Sequence, residues 1–175
     1  MDRNHSAVAG LCADAMLIAL TLAGTMFINI RLPVSVNGGL IHMGNVPLVI
    51  AAIVFGARSG AIAGAVGMGL FDVLGGWAAW APGTVVIRGL MGFTIGKIAA
   101  RRGGGNFALN LLAVTLGGAL MVAGYYLYEA LLYGNWATPV TSVPGNLAQL
   151  IPAYALGIPL AMLLNRTPLS ALFRG

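Results

Sequence analysis

Four ionisable side chains lie inside strongly apolar stretches of this sequence. Asp14, near the end of its stretch, is expected to be solvated, and the other three could do chemistry or bind a polar solute. Asp72 ends one apolar stretch, Arg88 lies near the start of the next, and Glu129 lies toward the end of a third. Charged side chains in such surroundings are costly, and they usually face a cavity, a partner or a transport path. Two interpretations of Asp72 and Arg88 remain open, because they either pair with each other or contact a ligand.

Uncharged polar and aromatic side chains occur at the ends of the same stretches. Tyr125 precedes Glu129 by four residues and Asn146 precedes Gln149 by three, so each pair shares a helical face. An interfacial tyrosine can also be a membrane anchor, and Asn146 can simply cap a helix. Small-molecule sites combine aromatic walls with a few polar groups. The predicted substrate-binding residues are His42, Asn45, Trp80, Arg88, Tyr125, Glu129, Asn146 and Gln149.

The sequence patterns of common catalytic and metal sites are absent. The chain has no His-Glu-x-x-His motif, and two histidines with one cysteine are too few for a metal site. The glycines of residues 103–105 lack the Lys-Ser/Thr of a phosphate-binding loop, so they indicate a flexible turn. We therefore expect no enzyme, no cofactor and no metal. A net charge of +5 without a basic stripe also argues against nucleic-acid binding.

The composition predicts an integral membrane protein. Of 175 residues, 59% are hydrophobic and 7% are charged, whereas soluble domains carry about 25% charged residues. A membrane-crossing helix takes about 20 residues, so the length suits six crossings and leaves no soluble domain. We predict one all-α membrane domain, residues 1–175, with helices at about 11–30, 46–56, 60–74, 84–100, 107–133 and 146–164.

Lysine and arginine in the short loops predict the orientation, because they accumulate on the cytoplasmic side. With six crossings, one side receives seven such residues and the other receives only Arg31. The seven are Arg3, Arg58, Lys97, Arg101, Arg102, Arg166 and Arg174. Both termini are therefore predicted to be cytoplasmic, in the plasma membrane of a bacterium or archaeon, and the polar cluster faces outward.

Small residues recur at a spacing of four in two of the predicted helices. Ala15, Ala19 and Ala23 lie on one face of the first helix, and Gly60 and Gly64 lie on one face of the third. Small residues let helix backbones approach closely within a membrane. The glycine pair predicts packing inside the bundle. The alanine stripe permits either internal packing or docking of another protein.

Several of these segments together are similar to those of one transporter family. They are the alanine stripe and residues 41–61 (IHMGNVPLVIAAIVFGARSGA), 69–72 (GLFD), 82–84 (PGT) and 88–96 (RGLMGFTIG). With six short helices, the chain resembles the substrate-binding S component of energy-coupling-factor (ECF) vitamin transporters. The likeness covers nearly the whole length and is strongest to the branch that includes riboflavin, pyridoxine and hydroxymethylpyrimidine carriers.

The resemblance implies a mechanism and partners. The S component would capture a vitamin from outside, with residues 31–42 as a lid, and would then topple in the membrane within a complex. That complex contains a transmembrane coupling subunit, which would dock on Ala15, Ala19 and Ala23, and two ATPase subunits.

The expected ligand is pyridoxine-like or hydroxymethylpyrimidine-like first and riboflavin second. The alternative is a standalone secondary transporter or channel in which Asp72 and Glu129 couple transport to protons.

Overall fold

Helices account for most of the chain in the computed structural model, which describes residues 3–31 and 40–167. In chain order they are α1 (Arg3–Phe27), α2 (Asn45–Ile50), α3 (Ala57–Ile62), α4 (Gly69–Leu74), α5 (Ala81–Ala99), α6 (Phe107–Tyr133), α7 (Val143–Ala148), α8 (Leu150–Pro152) and α9 (Ile158–Leu164). Three π-helical stretches of the described chain lie between or after these helices. Ala51–Phe55 continues α2, Ala63–Met68 joins α3 to α4, and Ala153–Gly157 joins α8 to α9. Short 3₁₀ turns lie at Ala100–Arg102 and Thr138–Ser142.

Five helical stretches of the described chain are long and apolar enough to cross a membrane. They are Val8–Phe27, Ala57–Leu74, Ala81–Arg102, Phe107–Tyr133 and Thr138–Leu164. A shorter apolar helix covers Asn45–Phe55. Large side chains such as Leu131 and Ile151 face outward, as expected of a surface solvated by lipid.

One expectation from the sequence is wrong at the end of the first helix. That helix was predicted to reach residue 30, but α1 ends at Phe27 and a hairpin follows, formed by strands β1 (Asn29–Arg31) and β2 (Leu40–His42). The strands are antiparallel, with Ile30 opposite Ile41. Asn29 causes the early stop, because its Nδ2 donates to the carbonyl oxygen of Met26 at 2.7 Å and so satisfies an end carbonyl of the helix.

The hairpin qualifies the all-α prediction and overlaps the predicted lid. Of the lid segment predicted at residues 31–42, Arg31 ends β1 and residues 40–42 form β2. Residues 32–39 of that segment lie outside the described part of the chain.

Prolines shift the start of two predicted helices toward the N-terminus. Pro82 lies in the first turn of α5, which begins at Ala81 instead of residue 84, and Pro144 lies in the first turn of α7. Proline fits the first turn because its missing N–H has no partner there. Pro152 was expected to interrupt the last helix, but the chain stays helical and widens into the π-helical stretch that follows it. This widening accommodates the missing donor.

Glycines let α3 and α5 touch through their backbones. A Cβ on Gly92 would overlap the carbonyl oxygen of Gly60, and a Cβ on Gly64 would lie 2.6 Å from the carbonyl oxygen of Arg88. The predicted internal packing of Gly60 and Gly64 is therefore confirmed. The close approach carries Arg88 into the bundle, where its side chain is 2% exposed.

Candidate functional site

A cavity of about 80 Å³ lies at one end of the bundle. α1, α4 and α6 end near this cavity, and α2, α5 and α7 start there. Of the eight predicted substrate-binding residues, seven line it: His42, Trp80, Arg88, Tyr125, Glu129, Asn146 and Gln149. The structure therefore brings together side chains that are scattered along the sequence.

Arg88 is the central cation of this site, and its hydrogen bonds go to neutral acceptors. Its Nε donates to the hydroxyl of Tyr125 at 3.1 Å, its Nη1 to Asn45 Oδ1 at 2.5 Å, and its Nη2 to Gln149 Oε1 at 2.8 Å. A sulfur acceptor, Met121 Sδ, also faces Nη1. A buried guanidinium is tolerated when its donors are satisfied, and these partners hold Arg88 in one orientation.

Tyr125 connects Arg88 to the start of its own helix. The hydroxyl of Tyr125 lies 2.9 Å from Thr84 Oγ1, and Thr84 precedes Arg88 by four residues on α5. The Arg88 guanidinium carbon also lies 5.1 Å from the centre of the Tyr125 ring, a cation–π distance. Tyr125 is thus both a hydrogen-bond partner and part of the cavity wall.

Asn45 lies behind Arg88 and is not among the residues that line the cavity. Its Oδ1 accepts from Arg88, and its Nδ2 donates to the backbone oxygen of Gln149 at 3.0 Å. Asn45 is fully buried. Asn45 therefore connects α2 with α5 and with the junction of α7 and α8.

Two carboxylates share the cavity with Arg88. Asp72 and Glu129 are 9% and 5% exposed. In each, one oxygen (Asp72 Oδ2 and Glu129 Oε2) makes no hydrogen bond of good geometry within the described chain, although the hydroxyls of Thr84 and Ser142 lie close enough to interact with Asp72 and Glu129. Of the two sequence interpretations, direct pairing of Asp72 with Arg88 is disfavoured, because the guanidinium donates to Tyr125, Asn45 and Gln149 instead.

Aromatic rings form much of the cavity wall. Trp80 Nε1 donates to Glu129 Oε1 at 3.3 Å, and the Trp80 ring meets Trp77 edge to face at 5.3 Å between ring centres. The segment that carries both indoles is held by Tyr128, whose hydroxyl donates to the carbonyl oxygen of Ala79 at 2.7 Å. Fixed aromatic walls beside a few polar groups are typical of small-molecule sites.

His42 closes the cavity from the hairpin side. Its Nδ1 accepts from the backbone N–H of Gly44 at 3.2 Å, and its ring lies 6.4 Å from that of Phe71. Burial, and secondarily the positive charge of Arg88, hold the pKa of His42 well below its usual 6.5. The imidazole is therefore neutral at physiological pH.

Seven further cavity residues were not among the predicted binding residues. Thr84 could have been found, because it lies one turn before Arg88 on the same helical face. Ser142 lies in a 3₁₀ turn that no local pattern predicts. The seven are Thr25, Met68, Phe71, Asp72, Trp77, Thr84 and Ser142.

The alanine stripe of α1 lies away from the cavity, on the outside of the bundle. Ala15 and Ala19 are exposed and Ala23 is half-buried. The opposite face of α1, with Leu17 and Thr21, is buried. The stripe is therefore accessible to another membrane protein.

Basic residues lie at the end of the bundle opposite the cavity. Lys97 is in the last turn of α5, Arg101 and Arg102 follow it, and Arg58 is in the first turn of α3. Among the residues that the structure describes, no group of three or more His, Cys, Asp or Glu side chains could hold a metal ion.

Comparison with known proteins gives one family and two relatives. The model of the family "ECF-type riboflavin transporter, S component" matches residues 6–166. A relative from Lactococcus lactis subsp. cremoris (strain MG1363), named thiamine precursor transporter HmpT, is 29% identical over 174 residues, which cover 99% of this chain and 97% of the relative. An uncharacterized protein in the gap 3′ region of Pyrococcus woesei is 31% identical over 137 residues, which cover 78% of this chain and 90% of that protein.

Proposed function

Because the chain belongs to the family of ECF-type riboflavin transporter S components, a family of transporter components and not of enzymes, we propose that it is the substrate-binding subunit of an ECF-type importer. It is a multi-pass protein of the cell membrane. In this role it captures a vitamin or a vitamin precursor from outside the cell.

The observation that carries the proposal is the buried polar cavity with its fixed walls. Arg88, Tyr125 and Gln149 are locked together by hydrogen bonds, so the site is already organised before a ligand arrives. Preorganisation lowers the ordering cost of binding and thereby raises affinity. Such a site suits a subunit that captures a scarce solute. The predicted binding residues that line the cavity are its proposed ligand contacts, and Asn45 supports them from behind.

The charges at the two ends of the bundle support an outward-facing cavity. Arg58, Lys97, Arg101 and Arg102 lie at the opposite end, and positive loops remain in the cytoplasm. We propose that the five long helices and the shorter Asn45–Phe55 make six crossings, with both termini cytoplasmic.

Delivery of the ligand requires energy from partner subunits. We propose that a transmembrane coupling subunit docks on Ala15, Ala19 and Ala23, because this stripe is small and accessible, and small residues permit close helix contact. Two ATPase subunits then drive a toppling of this chain that turns the cavity toward the cytoplasm.

The polar groups of the cavity and its aromatic wall suit a small ligand that contains an aromatic ring. The relative from Lactococcus lactis is named for thiamine precursor transport. A hydroxymethylpyrimidine-like or pyridoxine-like compound is therefore the first proposed ligand, and riboflavin is the second.

Native mass spectrometry of the purified full chain tests the proposal directly. The expected result is a bound mass of vitamin size in stoichiometric amount, either co-purified or acquired from a panel of added vitamins. A chain that stays empty across the panel contradicts the binding-subunit role.

The second candidate is a standalone proton-coupled transporter, and the burial of Asp72 and Glu129 is the observation in its favour. Liposomes that contain this chain alone separate the two functions. Uptake driven by a proton gradient without ATP supports the standalone transporter. Uptake that needs the coupling subunit, the ATPases and ATP supports the importer.

A further inference from the structure

A second pocket lies on the surface of the bundle at the end opposite the cavity, where the chain turns from α5 into α6. Two arginines of the 3₁₀ turn form one side of this pocket, and an apolar face of α6 forms the other. The residues that line it are Arg101, Arg102, Asn106, Ala108, Leu109 and Leu112. Among the described residues, none lines both this pocket and the cavity.

Hydrogen bonds hold the turn between α5 and α6 in place. The carbonyl oxygen of Gly104 accepts from Asn110 Nδ2 at 2.8 Å and from Asn165 Nδ2 at 3.1 Å. Asn106 Oδ1 accepts from the backbone N–H of Leu109 at 2.9 Å and so caps α6. Gly104 and Asn110 are buried, whereas the side chains of the two arginines are exposed. A turn anchored to the bundle therefore carries two accessible guanidinium groups.

A third arginine reaches this end of the bundle from the last helix. The side chain of Asn165 donates to the carbonyl oxygen of Gly104, and Arg166, the next residue, is exposed. The fold thus gathers positive charge from two distant parts of the sequence around one short turn.

The acidic residues of the described chain lie elsewhere. They are Asp14, Asp72 and Glu129. Asp72 and Glu129 line the cavity at the other end of the bundle. Asp14 lies on α1, which packs mainly against α2 and against the stretch from α3 to α4. None of the three belongs to the elements that form the turn, so an anion that binds there meets attraction without a competing carboxylate.

The apolar side of the pocket decides which kind of anion fits. Ala108 and Leu112 are exposed, and Leu116 continues the same face of α6 at a spacing of four residues. Leu112 and Leu116 are 49% and 47% exposed. A free phosphate or a nucleic acid gains nothing from this surface, whereas an acyl chain gains by covering it. A phospholipid carries both parts, because its phosphate can pair with arginine and its chains are apolar.

We propose that this pocket binds an anionic phospholipid of the cytoplasmic leaflet, with the phosphate at Arg101 and Arg102 and an acyl chain along Ala108, Leu112 and Leu116. Attraction to anionic lipids raises affinity about fivefold for each basic residue near the membrane surface. The choice of leaflet rests on the proposed orientation of the chain. The binding itself is independent of the ligand that the cavity takes.

The test measures lipid binding to the purified full chain in a mild detergent by native mass spectrometry. The chain is titrated with phosphatidylglycerol and with phosphatidylcholine that carries the same acyl chains, so that only the charge and shape of the headgroup differ. We expect phosphatidylglycerol to bind at least about tenfold more tightly, because two arginines face its phosphate without a compensating cation in the headgroup. Equal affinities for the two lipids would overturn the proposal.

Variants assign the preference to the pocket. Arg101→Gln combined with Arg102→Gln should weaken phosphatidylglycerol at least about tenfold and change the affinity for phosphatidylcholine by less than about threefold. Arg58→Gln combined with Lys97→Gln is the matched control, because it removes two exposed positive charges from the same end of the bundle but outside the pocket. The control should change either affinity by less than about threefold. Equal losses in the two double variants would show attraction by net charge without a site, and would also overturn the proposal.

Soluble competitors separate a lipid site from a phosphate site. Inorganic phosphate and glycerol phosphate carry the negative charge without acyl chains, so a tenfold molar excess of either should leave the bound phosphatidylglycerol in place. Displacement by either compound would assign the pocket to a free anion and overturn the lipid. Unchanged lipid binding in the arginine variant, with loss of assembly with the coupling and ATPase subunits, would give the arginines to a protein partner instead. The comparison of two lipids on the unaltered chain decides the proposal even where a variant fails to fold.

Discussion

Arg88 and Gln149 join α5 to the junction of α7 and α8 at the cavity end of the bundle, with Nη2 of the arginine 2.8 Å from Oε1 of the glutamine. The two residues are 61 positions apart in the chain. The same guanidinium reaches Asn45 and Tyr125, so one side chain links three helices and a cavity wall. Its replacement should therefore affect the fold before it affects ligand chemistry.

We expect Arg88→Lys to lower the free energy of unfolding by about 2–4 kcal/mol, because one ammonium cannot reach the three acceptors and leaves buried oxygens unpaired. Thermal unfolding in one detergent measures the change. Arg101→Lys is the matched control, since Arg101 is exposed. This substitution should change the free energy of unfolding by less than about 0.5 kcal/mol. Equal melting temperatures for Arg88→Lys and the control would contradict the network.

The contact between α3 and α5 predicts opposite outcomes at two glycines of one helix. Gly92→Ala should cost about 1–3 kcal/mol, because its new methyl group meets the backbone of Gly60. Gly89→Ala should be neutral or slightly stabilising, since its Cβ would lie 3.4 Å from Ala65 Cβ and alanine favours helices. Thermal unfolding of both variants measures the difference. Losses of similar size in both variants, or no loss in either, would contradict the close backbone contact at Gly92.

Trp80→Phe tests the role of the indole N–H of Trp80 apart from the role of its aromatic ring. The variant keeps an aromatic side chain but removes the N–H that donates to Glu129 Oε1. We expect ligand affinity to fall about tenfold, with a small effect on folding, because the carboxylate loses one of the contacts that orient it. Calorimetric titration measures the affinity. Trp136→Phe, at an exposed tryptophan, should bind as the unaltered chain does, and equal affinities for both variants would remove Trp80 from the site.

Ala19→Leu should abolish coupled uptake and leave ligand binding intact. The larger side chain prevents close approach of a partner helix on the accessible face of α1, and the cavity lies elsewhere. Uptake by the assembled complex and binding by the chain alone are measured in parallel. Ala119→Leu is the control, because Ala119 is also exposed but on α6. Lost binding in Ala19→Leu, or lost uptake in both variants, would contradict the docking face.

We expect the burial of His42 to make the folded chain less stable in mild acid. Burial lowers its pKa in the folded state, so below about pH 6.5 the unfolded chain takes up a proton that the folded chain does not. The free energy of unfolding should fall by up to about 1.4 kcal/mol per pH unit from this residue. Unfolding of the chain and of His42→Asn at about pH 7.5 and 5.5 isolates the contribution. Parallel pH profiles for the two chains would exclude it.

The arrangement of helices was largely predictable because its causes are local. Hydropathy and length located the six apolar helical stretches of the described chain, although α1 begins at Arg3 and not at about residue 11. The helix predicted at 107–133 coincides with α6. The misses occurred where one side chain changed the local outcome. Asn29 ends α1 early through its contact with Met26, and no periodicity in the sequence reports such a contact.

The sequence by itself determined that the chain is a membrane protein, where most of its helices lie, and that polar groups gather at one end. These properties follow from composition and periodicity, which act within a few residues. Only the tertiary structure decided what each polar group contacts. It directed the N–H groups of Arg88 to Asn45 and Gln149 and placed the carboxylates of Asp72 and Glu129 in the same cavity. Hydrogen bonds depend on distances between helices that are far apart in the chain, and those distances are set by how the helices pack.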